Sequence, residues 1–119
     1  MVNQMGSNDQ RGQPRVNVEF PATVSVGSQL TVKGHLKDLS LSSAFIRIKN
    51  SIFLNINDEV GITIQCSQED EKDVIQGLAR ISRMVPGEGF VVYFTKIDEN
   101  SIKNVKKILL KLGQSQSAI

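Results

Sequence analysis

Every even position between Val16 and Val26 is apolar (Val16, Val18, Phe20, Ala22, Val24, Val26), with Asn17, Glu19, Pro21, Thr23 and Ser25 between them. A period of two sends alternate side chains to opposite faces, so this segment is a strand with one buried and one wet face. Pro21 has no N–H to give a ladder, which predicts an edge or a bulge there. Gly27-Ser28 is a turn signal. A second strand follows, with Leu30, Val32, Gly34 and Leu36 on one phase and Thr31, Lys33, His35 and Lys37 on the other. The phase then slips: Leu39 and Leu41 are odd, Asp38 and Ser40 take the inward positions, and Ala44, Ile46 and Ile48 restore the even phase. A bulge or sharp corner between residues 38 and 43 accounts for the slip, and such features aim side chains at sites. Further strands are expected at 59–66, 73–85 and 89–97, joined through Glu69-Asp70-Glu71 and Pro86-Gly87.

The last part of the chain changes period. Ile102, Val105, Ile108, Leu109 and Leu112 recur at spacings of three and four, the mark of an amphipathic helix over about 98–112. Asp98, Glu99 and Asn100 stand at its start and Lys106, Lys107 and Lys111 near its end, the favourable sense for the helix dipole. Gly113 is the expected stop. Residues 1–14 are polar and unpatterned and read as a flexible arm, followed by a barrel with its helix over 15–113 and a tail over 114–119. About six short strands and one helix fit an antiparallel β-barrel whose open end or side the helix covers.

Composition narrows the function more than the fold. The chain has 119 residues, enough for one domain with its own hydrophobic core. A net charge of +2 is too small for nucleic-acid binding by bulk charge. With one Tyr, five Phe and no Trp, a base-stacking surface of the oligonucleotide-binding kind is disfavoured, so no nucleic-acid partner is expected. The single cysteine, Cys66, lies on the apolar phase of a strand and reads as a buried structural thiol. No apolar run approaches the ~20 residues of a membrane span, and the first 14 residues are too polar for a signal peptide. The expectation is a cytoplasmic protein without membrane insertion. His35 is the only histidine, so neither a metal site nor a Ser-His or Cys-His pair can be assembled without it, and no nucleophile motif surrounds it. No enzyme is expected.

Two clusters carry chemistry. Arg11-Gly-Gln-Pro-Arg15 sets two guanidinium groups four residues apart where Gly12 and Pro14 disfavour helix, so the α-carbons stand up to ~13 Å apart. Arginine forks onto phosphate oxygens and onto the O6/N7 edge of guanine, and it stacks on purine faces. Two solvated arginines in a polar tail are the plainer alternative. Asp38 and Ser40 offer a carboxylate acceptor and a hydroxyl two residues apart. They also suit a local turn held by side-chain-to-backbone bonds, and the two readings are compatible. Arg80 and Arg83 could border a ligand, but ordinary surface arginines are the preferred reading.

Taken together, the RxxxR at Arg11 and Arg15 and the Asp38-x-Ser40-x-x-Ser43 cluster resemble the RxxxR and [D/N]xSxxG signatures of the PilZ domain. Ser43 stands where that family usually has Gly. The 22 residues between Arg15 and Asp38 hold the expected hairpin. Glu88-Gly-Phe-Val-Val-Tyr-Phe94 is similar to the family's Gly-containing last strand before its helix. The resemblance covers roughly residues 11–112. It implies an all-β-dominated fold, a six-stranded antiparallel split barrel with a C-terminal α-helix and a flexible N-terminal arm. It also implies a receptor for the second messenger cyclic di-GMP, with Arg11, Arg15, Asp38, Ser40 and Ser43 as ligand-binding residues and no cofactor beyond that ligand. Such a receptor relays the signal by ordering its arm for a downstream protein partner. The alternative is a degenerate PilZ-like adaptor that works by protein contacts without nucleotide. If the family Gly serves a positive φ, Ser43 costs ~1 kcal/mol and Ser43→Gly is expected to tighten binding.

Overall fold

A computed structural model of the chain describes residues 15–27, 30–48, 54–67 and 69–117, the last five by backbone alone. Six strands, β1 (Val16–Val26), β2 (Leu30–Leu39), β3 (Ser43–Arg47), β4 (Glu59–Gln65), β5 (Val74–Val85) and β6 (Gly89–Ile97), precede one helix, α1 (Glu99–Ser117). The strands close into an antiparallel barrel in the order β1-β2-β3-β6-β5-β4. Closure removes the open strand edges that would otherwise invite pairing with another chain.

The period-two pattern becomes the barrel wall. Val16, Ala22 and Val24 from β1 meet Leu36, Ile46, Ile62, Ile64, Ile75, Ile81, Phe90 and Val92 in one buried cluster. Pro21 lies between a β-bulge at Asn17–Phe20 and the first β1–β4 pair, Ala22↔Ile64, so its missing N–H sits where the β4 ladder has not begun. The turn from β5 to β6 has Pro86 and Gly87 at its centre, with φ of 80° at Gly87 and Glu88 N–H donating to Val85 O at 3.0 Å. Those are the residues a type II turn needs. Gly89 is required for space: a Cβ there would stand 2.0 Å from Ile46 O.

Asp98 caps the helix, its Oδ1 accepting the Ser101 N–H at 2.7 Å. That bond holds the Asp98 carboxyl below the usual carboxylate range. Val105 and Ile108 enter the core, and α1 packs on β5 and β1. Buried Ser101 exchanges bonds with the Gln76 backbone, and Asn104 Nδ2 donates to Val74 O at 2.8 Å. The helix therefore docks by polar as well as apolar contacts.

Two expectations are corrected here. The helix does not stop at Gly113 but continues to Ser117. Glycine inside a helix costs about 1 kcal/mol without forbidding it, and no proline follows. Lys106, Lys107 and Lys111 consequently fall mid-helix and leave the last turn without a basic residue. Cys66 is half-buried rather than buried. Even so, burial, helped by the charge of Asp73, pushes its thiol up to about 11.

Candidate functional site

The phase slip read between residues 38 and 43 has two physical parts. In the β2–β3 ladder Leu36 pairs with Ile46 but Asp38 with Phe45, so Lys37 is an extra residue. This bulge lets Leu36 and Leu39 both point inward, each fully buried, and turns Asp38 to the outer wall. The chain then folds sharply over Ser40–Ser43, where Ser40 N–H donates to Ser43 O at 2.8 Å.

Ser40 is wholly buried in that turn. Its Oγ accepts the Ser43 N–H at 3.1 Å, lies 2.8 Å from Ser43 Oγ and reaches Ser43 O at 3.3 Å. These are the local bonds expected of a serine that shapes a turn. Ser43 opens β3 and is half-buried. Among the described residues Asn57 is the one non-glycine with positive φ, so the Ser43 backbone does not need the freedom of glycine. Ser43→Gly is therefore expected to destabilise the protein by about 1 kcal/mol, through the lost Ser40 Oγ–Ser43 Oγ bond and added chain entropy. Thermal denaturation of the two proteins checks this, and a stabilised variant would contradict it.

Arg15 immediately precedes β1. Because Asn17 pairs with Asp38, it stands beside the end of β2. Its Nη2–H donates to Asp38 Oδ1 at 3.0 Å, with both side chains partly open to solvent. A neighbouring pair, Lys37 with Glu19, is made on the same wall. Arg11 lies outside the described residues, as does the rest of the 1–14 arm.

A cleft of about 760 Å³ opens on the outer wall in front of this pair. Its size falls within the ~300–1,000 Å³ typical of small-ligand sites. The strand register explains its floor. Asp38 pairs with Phe45, Phe45 with Val91 and Val91 with Arg83, one row across β2, β3, β6 and β5. Beside it, Ser43 pairs with Tyr93. All six residues line the cleft, together with Arg15. Of the expected site residues the cleft thus gathers Arg15, Asp38 and Ser43, while Ser40 supports the turn from behind.

Tyr93 was missed in the sequence, and Arg83 reads there as a surface arginine in preference to a ligand neighbour. In the β5–β6 ladder Ile81 pairs with Val92 and Arg83 with Val91, so Ser82 is a bulge that turns Arg83 outward. The signal was present: Ile75, Ala79 and Ile81 share the inward phase, and Arg83 falls on it. A charge on the buried phase marks a slip, as at Asp38. The Arg83 guanidinium has no hydrogen-bond or ion-pair partner among the described residues. Arg80 behaves as a surface arginine, Nη1–H donating to Asn57 O at 2.8 Å. Tyr93 is 40% exposed, an aromatic face open to the cleft.

The closed six-stranded barrel, capped by one helix and carrying a polar, two-arginine cleft on its outer wall, defines a small β-barrel with an external ligand-sized site. The PilZ domain model matches residues 9–111, and the chain belongs to the PilZ domain family. Among solved structures it resembles the inhibitor of motility MotI/DgrA from Bacillus subtilis (TM-score 0.72, 10% identity, 92% of this chain and 52% of that one). It also resembles the PilZ domain of YcgR from Escherichia coli with c-di-GMP (TM-score 0.67, 14% identity, 90% and 94%). A third is the PilZ domain of CeSA from a cellulose-synthesizing bacterium (TM-score 0.62, 20% identity, 83% and 97%). At these identities the likeness is one of fold, and the chain spans about half the length of the motility inhibitor. No curated protein matches the sequence.

Proposed function

We propose that this chain is a receptor for cyclic di-GMP that binds in the outer-wall cleft and performs no chemistry. One observation carries the reading: a PilZ barrel whose register gathers Arg15, Asp38, Arg83 and Tyr93 around a single cleft. The YcgR domain that the fold resembles was solved with c-di-GMP, which supports the same ligand here.

Each group matches a part of that molecule. Arg15 and Arg83 fork onto phosphate oxygens or the O6/N7 edge of guanine. The Asp38 carboxylate accepts from guanine N1–H and N2–H₂. Tyr93 offers a face for a base to stack on. Ser40 acts through the turn it shapes, and Ser43 borders the ligand.

In the free protein Arg15 and Asp38 satisfy each other. Ligand entry replaces that pair with phosphate and guanine contacts. Arg11 joins from the preceding segment, and the ligand fixes residues 1–14 against the barrel for a downstream partner to read.

Backbone NMR tests both halves. Amide shifts of Arg15, residues 38–43, Arg83 and Tyr93 are expected to move saturably on addition of cyclic di-GMP, while residues 1–14 lose amplitude of motion. Saturable shifts confined to another face would overturn the site. No saturable shift at all would favour the adaptor that works without nucleotide.

A further inference from the structure

The turn over Ser40–Ser43 has two sides. Ser43 and Ser42 face the cleft, and Ser42 and Leu41 line a second groove of about 620 Å³ between β6 and α1. The turn is tied to β6 by Phe94 N–H donating to Ser42 O at 2.9 Å. Leu41 is 45% exposed at the mouth of this groove. Phe94 and Ile97 from β6 and Ile102 from α1 are half-buried along the same groove. Lys96 and Lys106, both exposed, stand on its rim, and no carboxylate among the described residues lines it.

We infer that this groove is a protein-docking surface whose occupant is an amphipathic segment of a partner, apolar on one face and flanked by Asp or Glu. The apolar walls call for Leu-, Ile- or Phe-type anchors, the mode in which an amphipathic segment lies in a hydrophobic groove. The two rim lysines select acidic flanks and steer their approach. Nucleic acid is a poor match, because five apolar side chains with two cations offer too few phosphate contacts. The proposal deepens the relay reading by naming the chemistry of the partner. A surface on the turn that also walls the cleft is well placed to be read together with it.

Site-specific photo-crosslinking of the full chain in its own bacterium tests this, without added nucleotide. The Arg15→Ala chain crosslinked in parallel separates the two failures: its adduct is expected if docking stands without nucleotide binding. With p-benzoylphenylalanine in place of Leu41 or Ile102, the expected adduct joins a partner segment that carries both apolar and acidic residues. Leu30, exposed at the far end of β2, is the control position and should give no such adduct. Lys96→Glu with Lys106→Glu should lower the yield about tenfold while circular dichroism stays that of the parent. The proposal is overturned by adducts to residues 1–14 of the same chain, to a second copy, or to a segment without acidic residues. Equal yield from Leu30, a yield indifferent to the lysine reversals, or no adduct at all would overturn it as well.

Discussion

Arg15→Ala is expected to weaken cyclic di-GMP binding by about 1.5–3 kcal/mol, the range for hydrogen bonds to charged groups. That corresponds to a roughly 10–150-fold rise in Kd. The loss is specific to binding because the ion pair with Asp38 contributes little to folding. Its partners are 43% and 30% exposed, and pairs so open to solvent are worth at most ~1 kcal/mol. Removing the guanidinium also leaves the Asp38 carboxylate without its ion-pair partner beside the ligand, a charge of the wrong sign for phosphate. Arg15→Lys restores the charge but not the planar fork and should recover only part of the affinity. Arg80→Ala is the matched control, since its guanidinium serves the Asn57 carbonyl away from the cleft. Isothermal titration of the three variants decides the matter. An Arg15→Ala protein that binds like the parent would move the site elsewhere.

The second large effect is on stability. Phe90→Ala is expected to cost about 3–5 kcal/mol, the loss of a buried aromatic ring plus the cavity it leaves. Phe90 is fully buried and is among the largest such side chains of the core. Its position makes the result informative beyond packing. It pairs with Ile46 on β3 and with Met84 on β5, one residue before Val91 in the floor of the cleft. The flanking Gly89 prevents easy rearrangement, because the chain there passes too close to Ile46 O for any side chain. A domain of this size has only ~5–15 kcal/mol in hand, so a large share of the population should unfold at modest denaturant. Urea denaturation gives the value, and a loss under ~1 kcal/mol would mean the core is not packed as described.

The barrel was legible because alternation is a local property. Val16–Val26 states its own inward face, and so do β2, β4 and the start of β5. The helix was legible for the same reason with a different period. Its end was not, since Gly113 penalises a helix without ending it, and the C-terminal turns depend on weak local preferences. At the site, Asp38 stood out because a carboxylate on an inward phase contradicts its strand. Arg83 sends the same message through the bulge at Ser82 but follows so few inward residues that it passes for a surface arginine. Ser40 shows the converse limit. Its place two residues after Asp38 suited both a ligand contact and a local turn, and its hydroxyl makes the turn bonds. The three-dimensional fold of Ser40–Ser43 supplies the partner, Ser43, that the sequence did not name. Tyr93 could not be assigned from sequence at all, because its neighbourhood to Ser43 is a matter of β3–β6 register.

The central claim, that the outer-wall cleft is a cyclic di-GMP site, is tested most directly by calorimetric titration of the parent protein with cyclic di-GMP, GTP, GMP and cyclic di-AMP. The account predicts saturable heat with cyclic di-GMP in preference to the other three, because it alone presents two guanine edges and two phosphates in one molecule. Absence of saturation up to ~100 μM cyclic di-GMP, which places binding weaker than ~−5.5 kcal/mol, would contradict it.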